Sequence, residues 1–331
     1  MKLNKLFYLL LVLPMLFVYT GCSSDDSSTN NVEDVNEALV LAQYLEISGD
    51  FINTSAPAMI TAEAVRTTQL AGGSQHIIDI RSAADYANGH IEGAVNVAAA
   101  DIITYMASID AASYETIVVA CYSGQTAGWV TGILRCLGYN NVKDLKWGMC
   151  SWNQTTSGSW TSNVSNTYAT DFVTTTAPKN AAGDYPTLST GLTTGADILA
   201  NRATAVIAEG FSAAAIAASS VFTNLDNYYI VNYWSEAHYT EGHIDGAIQY
   251  TPKADLKTTT FLNTLPTDET IVVYCYTGQT SAHVAGYLRM LGYDAKSLKF
   301  GVNAMAYDWM TNLGMTHFDQ SYIADYPLVT D

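Results

Sequence analysis

The sequence predicts an α/β protein of two tandem domains, each a mainly parallel sheet flanked by helices. Three observations carry this reading. The chain has 331 residues, room for two domains of ordinary size. Short β-branched runs alternate with helix-patterned segments, the order that builds parallel sheets with helices on both faces. The whole order occurs twice, with Cys121-Tyr122-Ser123-Gly124-Gln125-Thr126 returning as Cys275-Tyr276-Thr277-Gly278-Gln279-Thr280.

Each copy opens on an amphipathic helix, Val35 to Glu46 in the first and Ala196 to Glu209 in the second. A strand, a turn and a short helix follow, and then the motif Gly89-His90-Ile91-Glu92-Gly93-Ala94, matched by Gly242-His243-Ile244-Asp245-Gly246-Ala247. Thr116 to Ala120 and Thr270 to Tyr274 are apolar and β-branched, and read as buried strands. Ala127 to Leu137 and Ser281 to Leu291 read as helices, followed by strands near Val142 to Leu145 and Lys296 to Leu298. Leu145-Lys146-Trp147-Gly148 then matches Leu298-Lys299-Phe300-Gly301, and Asp184-Tyr185-Pro186 matches Asp325-Tyr326-Pro327, which is expected to end each copy. The domains are therefore expected at 32–188 and 189–331. The Ser-, Thr- and Asn-rich stretch Gln154 to Ala182 has no second-copy equivalent of the same length and reads as a surface excursion.

The repeated hexapeptide places a cysteine on a strand-to-helix turn, at the carboxyl end of a strand where open α/β sheets bind ligands. Backbone N–H groups at the helix start have no intrahelical partner, and the dipole favours an anion there. That environment is expected to lower the thiol pKa and yield a reactive thiolate. Gly124 and Gly278 permit conformations closed to other residues and bring the backbone near the sulfur. Ser123, Thr277, Thr126 and Thr280 offer hydroxyl donors, with simple capping of the following helix as the competing role.

Composition narrows the partners. A formal charge of −17 with only 14 Lys plus Arg argues against nucleic acid. Lys2 and Lys5 precede an apolar stretch from Leu6 to Val18, and Thr20-Gly21-Cys22 follows. This resembles a bacterial lipoprotein signal peptide over 1–21, with Cys22 as the lipidated residue and 22–31 as a polar tether. Ser23 after Cys22 implies, within that class, the outer membrane, and Asp25-Asp26 resembles a surface-export signal. The apolar segment is short for a bilayer span. The expected location is thus the cell envelope, on a lipid anchor.

The first copy combines Ile77-Ile78-Asp79-Ile80-Arg81, Asp85-Tyr86, Gly89-His90-Ile91-Glu92-Gly93-Ala94 and the Cys121 loop, and so resembles a rhodanese domain. The second copy resembles it too, so the chain is similar to tandem rhodanese-type sulfurtransferases over most of its length beyond the tether. The resemblance implies that Cys121 and Cys275 take up sulfane sulfur as persulfides, with the donor bound by Tyr122, Ser123, Gly124, Gln125 and Thr126, and by Tyr276, Thr277, Gly278, Gln279 and Thr280. Donors would be thiosulfate, polysulfide or a persulfide, acceptors cyanide or a thiol, and no cofactor is implied. Asp79, Arg81 and Asp85 resemble the family's structural ion pair. The second copy departs here, with Asn232, Trp234 and His238 at the matching positions. His90 and His243 belong to a turn motif and read as structural.

A persulfide is an anion, and converging amides stabilise it without a metal. Related phosphatases use a longer loop closed by an arginine that clamps phosphate. Both loops here lack Arg and Lys, which disfavours phosphoryl transfer and weakens the case for the thiosulfate dianion against polysulfide or a persulfide carrier. Lys146 and Lys299, beside Trp147 and Phe300, either border the site or are surface lysines beside core aromatics. No Cys-x-x-Cys or clustered histidine pattern indicates a metal. Cys136 falls opposite Met290 and reads as a buried apolar residue, whereas Cys150 has no cysteine counterpart. Two rival readings stand: a non-catalytic envelope binding module, and a redox protein cycling a Cys121–Cys150 disulfide.

Overall fold

A computed structural model describes residues 35–330. Cys22, the leader and the tether lie outside the described residues. The first half runs α1 (Glu37–Ile47), α2 (Phe51–Thr54), β1 (Met59–Ile60), α3 (Ala62–Leu70), β2 (Gln75–Asp79), α4 (Ala83–Asn88), β3 (Ala94–Asn96), α5 (Ile102–Ser108), β4 (Thr116–Ala120), α6 (Gln125–Cys136), β5 (Val142–Leu145), α7 (Gly158–Thr161) and β6 (Phe172–Val173). The second runs α8 (Gly195–Glu209), β7 (Ala215–Ile216), α9 (Ala218–Thr223), β8 (Tyr228–Asn232), α10 (Glu236–Glu241), β9 (His243–Ile244), β10 (Ile248–Gln249), β11 (Thr270–Tyr274), α11 (Gln279–Met290), β12 (Ala295–Leu298) and α12 (Tyr307–Asn312).

The fold is two α/β units, each a parallel sheet flanked by helices. The first sheet has the order β1-β5-β4-β2-β3, and the second has the corresponding order β7-β12-β11-β8-β10. All pairings within both sheets are parallel, with Val118 opposite Ile77 and Val272 opposite Ile230 in the central pairs. Central parallel strands are covered on both faces, which explains the unbroken apolar runs Ile117-Val118-Val119 and Ile271-Val272-Val273. One face of each sheet joins a common core with α1, α6, α8 and α11, through Ile78, Val119, Val130 and Ile133 on one side and Val231, Val273, Val284 and Leu288 on the other. The opposite faces have separate cores, one around Ile77, Val118 and Trp152, the other around Ile230, Val272 and Met305.

Helices α6 and α11 meet nearly backbone to backbone across this common core. A Cβ on Gly132 would come within 3.0 Å of His283 Cα, and one on Gly128 within 3.1 Å of Gln279 O. On the other helix, a Cβ on Gly286 would sit 3.2 Å from Trp129. Small residues are therefore required on the facing surfaces, which explains glycine inside two helices despite its poor propensity.

The tails of the halves are exchanged. After leaving the first half, Ser165 and Tyr168 donate backbone N–H groups to Asn303 O and Met305 O, and β6 pairs antiparallel with β9. The C-terminal segment returns to the first half, where Tyr326 N donates to Trp152 O and Val329 exchanges two hydrogen bonds with His90. Val173 and Val329 thus occupy corresponding places beside His243 and His90. Asp184-Tyr185-Pro186 lies elsewhere: Tyr185 O accepts from Asn36 Nδ2, and Pro186 packs against Gly292. The stretch expected as a surface excursion also buries Trp160 completely against Trp147 and Phe318. Its polar composition hides one aromatic anchor.

A Gly132→Val substitution is expected to lower the unfolding free energy by about 1–3 kcal/mol through overpacking of the α6–α11 contact. Urea denaturation followed by circular dichroism measures this, and an unchanged midpoint would contradict the contact.

Candidate functional site

The strands β4 and β11 end at Cys121 and Cys275, and helices α6 and α11 start four residues later on Gln125 and Gln279. Gly124 (φ 84°) and Gly278 (φ 78°) take the left-handed conformation at the helix N-caps, where other residues would be strained. This turn points main-chain N–H groups at each sulfur. Gly124 N and Ala127 N lie 3.2 and 3.3 Å from Cys121 Sγ, and Gly278 N and Ser281 N lie 3.2 and 3.3 Å from Cys275 Sγ. The two cradles are the same to within a tenth of an ångström.

Each thiol is only 2% exposed. Burial pushes the Cys121 thiol up to about 11, against the lowering effect of the Ala127, Ser123 and Gly124 amides, and buried Asp144 raises it further. The expected depression of this pKa therefore does not occur in the closed loop. Removing the sulfur from water outweighs the helix terminus.

The residues around the loops divide into three groups. Tyr122 is exposed and donates to Asp85, which also accepts from Ser82 Oγ. The Ser82 and Tyr122 hydroxyls hold the Asp85 carboxyl below its ordinary value. Asp85 is thus no part of the buried ion pair the sequence suggested. Tyr276 makes the corresponding contact with His238 Nδ1 at 2.6 Å. Ser123 Oγ accepts from Gln125 Nε2, and Thr277 Oγ1 from Gln279 N. Thr126 and Thr280 lie half-buried in the first helical turn and make no hydrogen bond to sulfur among the described residues. Gln125 and Gln279, expected against substrate, turn away: Gln125 Oε1 accepts from Phe300 N (2.7 Å), and Gln279 Oε1 from Trp147 N (3.2 Å).

Behind the loops the halves use different chemistry. Arg81 Nη2 is 2.6 Å from Asp79 Oδ2 and donates to Gly89 O at 2.7 Å, so the ion pair ties strand β2 to the Gly-His-Ile turn. Both side chains are buried, and Arg81 Nε and Nη2 find their acceptors in Asp79 and Gly89. In the second half Asn232 Nδ2 donates to Tyr274 OH (2.7 Å), and that oxygen accepts from Ile244 N (3.2 Å). Tyr274 stands where the first half has Ala120. Trp234 stacks on Tyr276, ring centroids 5.1 Å apart, where Arg81 lies over the Tyr122 ring. The loop geometry survives the loss of the ion pair.

His90 and His243 are pillars of their turns. Their Nδ1 atoms meet Tyr86 O (2.9 Å) and Tyr239 O (2.7 Å), and the rings stack on those tyrosines. Cys121, Cys136, Cys150 and Cys275 are free thiols. Cys136 is pushed up to about 12 by burial, and Cys150, fully enclosed beside Trp147, Trp160 and Phe318, to about 11. Lys146 lies over Trp147 and Tyr322 and lines an open groove with Thr61, Glu63 and Tyr326, apart from the sulfur.

The site also contains groups that the repeat alignment passed over. Asp144 on β5 is fully buried, with Oδ1 3.1 Å from His283 Nε2 and Oδ2 accepting from Gln279 Nε2 at 3.2 Å. His283 Nδ1 meets Gln279 O at 2.9 Å; that carbonyl only accepts, so Nδ1 carries the hydrogen and Nε2 faces the carboxyl. Burial raises the Asp144 carboxyl, opposed by His283. The second half has Ser297 in place of Asp144, bonded to Ser281 Oγ at 2.8 Å, and the Cys275 thiol reaches Ser281 Oγ at 3.6 Å. The available signal was an aspartate within the short parallel strand Val142–Leu145, where the second copy has Ser297. Trp160, whose Nε1 donates to Ser123 O at 3.0 Å, closes the roof of the Cys121 loop.

The family model described as Rhodanese-like domain matches residues 61–155 and 223–307. Among solved structures, a thiosulfate sulfurtransferase from Pseudomonas aeruginosa is 18% identical, with 79% of this chain and 46% of that one covered and a TM-score of 0.31. A rhodanese-related protein from Thermoplasma volcanium is 19% identical over 29% of this chain and 89% of its own, with a TM-score of 0.26. A rhodanese-like domain protein from Staphylococcus aureus is 20% identical over 28% and 87%, with a TM-score of 0.24.

With its thiol at about 11, Cys121 is expected to react with iodoacetamide at a rate that rises about tenfold per pH unit from 7 to 10, following the thiolate fraction. Peptide mapping of timed alkylation measures this, and a plateau below pH 8 would show a thiolate already formed.

Proposed function

The chain belongs to the rhodanese-like domain family, and on that footing we propose that it is a sulfurtransferase carrying sulfane sulfur on Cys121 and Cys275. The observation that supports this most is the pair of matched amide cradles, two N–H groups within 3.3 Å of each sulfur at a helix start. In the uptake step the cysteine thiolate attacks the outer sulfur of a persulfide or polysulfide. The donor S–S bond breaks, the donor leaves as a thiolate, and a cysteine persulfide anion forms. The proton released from the cysteine passes to the departing thiolate or to water. Attack by an acceptor thiol or cyanide on the outer sulfur then regenerates the cysteine thiolate, with no net electron transfer. The amides already face Sγ, so the dipoles that favour negative charge on the bound sulfur are in place before the reaction.

Polysulfide or a persulfide carrier fits the loops better than thiosulfate. No Arg or Lys lies in either hexapeptide, Arg81 is committed to Asp79, and the group behind Cys121 is a carboxyl, Asp144. A dianion would enter without a countercharge. The burial of both thiols favours a second reading, a non-catalytic binding module of the same fold. Intact-mass measurement after polysulfide treatment separates the two. The expected result is a gain of one sulfur per reactive thiol, lost stepwise in Cys121→Ser and Cys275→Ser. Unmodified thiols in protein that was reduced beforehand and then freed of reductant and metal would leave the binding module.

The proposed setting is the bacterial envelope, with lipid on Cys22. Lys2, Lys5, the apolar stretch to Val18 and Thr20-Gly21-Cys22 support it. Cys22→Ser is expected to abolish labelling by a fatty-acid analogue and to move the protein out of the membrane fraction. Retention of label would refute the assignment.

A further inference from the structure

Directly after β5 and β12, each half has two consecutive residues with left-handed backbone: Trp147 (φ 67°) and Gly148 (φ 60°), and Phe300 (φ 62°) and Gly301 (φ 54°). A bulky aromatic at positive φ is costly and persists only where neighbouring contacts fix it. Each turn underlies the cysteine loop of its own half. Met149 N donates to Cys121 O (2.8 Å), and Val302 N donates to Cys275 O (3.3 Å). A Cβ on Gly148 would lie 2.5 Å from both Cys121 O and Gly124 N, so turn and loop are in backbone contact.

The group that holds each turn comes from the opposite half. Gln279, in the first turn of the helix behind Cys275, accepts from Trp147 N and donates to Asp144. Gln125, behind Cys121, accepts from Phe300 N and donates to Ser123 Oγ. Both side chains are buried, and each occupies the space a Cβ would need on the other half's loop glycine, Gln279 against Gly124 and Gln125 against Gly278. Those glycines supply an N–H to each sulfur.

We infer that Gln125 and Gln279 are crossed positioning residues: Gln279 sets the cradle of Cys121, and Gln125 sets the cradle of Cys275. The two thiols are thereby coupled through one buried hydrogen bond in each direction. The consequence for sulfur transfer rests on the sulfurtransferase reading, whereas thiol reactivity tests the coupling without any sulfur donor.

The experiment is site-resolved iodoacetamide alkylation of the full chain. Gln279→Met keeps the length and removes the acceptor; it is expected to speed alkylation of Cys121 about fivefold, the rate equivalent of one net hydrogen bond holding a buried thiol closed. Cys275 should stay within about twofold, as for a neutral substitution. Gln125→Met is expected to give the reverse pattern, and Gln125→Glu, which keeps an oxygen for Phe300 N, should restore the Cys275 rate. Folding is checked by near-UV circular dichroism; if a Met variant unfolds, Gln→Asn, which withdraws the amide by one methylene, is expected to give the same crossed pattern. A change confined to the thiol of the substituted loop, equal changes at both thiols in folded variants, or no change would overturn the proposal. Absence of persulfide in the unsubstituted chain, with the crossed pattern intact, would refute only the sulfurtransferase reading.

Discussion

The close approach of α6 and α11 is the contact on which the rest of the molecule depends. Gly128, Gly132 and Gly286 let the helices meet along their backbones. Their N-termini then lie side by side, and the two cysteine loops become neighbours rather than remote sites. With larger residues the interaxial distance would grow, since side chains at the contact set it. Gln125 and Gln279 would no longer reach across. The common core between the sheets and the shared environment of His283 and Asp144 follow from this one approach.

Around that seam the two halves hold one geometry with unlike materials. Asp79 and Arg81 brace the first loop by charge-assisted hydrogen bonds, whereas Asn232 and Tyr274 brace the second by neutral ones. A buried ion pair depends on complete satisfaction of its donors, and its exchange for packed aromatic and amide groups is often close to neutral. The positions of the sulfur atoms are conserved between halves while the field around them is not. Cys121 is backed by a carboxyl, Cys275 by the hydroxyls of Ser281 and Ser297.

Much of the fold was legible because burial on both faces leaves a plain mark. Thr116 to Ala120 and Thr270 to Tyr274 are strands with the bounds read from their β-branched runs. The helices after the loops start two residues earlier than their apolar pattern, because Gly124 and Gly278, rather than a polar cap, begin them. The geometry of the cysteine turn was legible for the same reason, since only glycine suits that backbone. The fate of Gln125 and Gln279 was not, because their partners Phe300 N and Trp147 N are main-chain groups more than a hundred residues away. The thiol environment was misread from local structure alone: helix position argues for thiolate, and the weight of burial appears only when both sheets and Trp160 are in place. Asp184-Tyr185-Pro186 matched Asp325-Tyr326-Pro327 in letters, while the segment that shares the role of Val329 is Val173.

The exchanged tails have a consequence for how the protein is made. Residues beside His90, in the first half, come from Tyr326 to Val329, beyond the strands and helices of the second half. On the ribosome, where N-terminal parts emerge first, the first half therefore lacks this partner until the second half has been made. The second half has its corresponding partner, β6, before its own first strand is made. Maturation thus favours the later-translated half as the earlier one to close, an order opposite to that in which the chain leaves the exit tunnel.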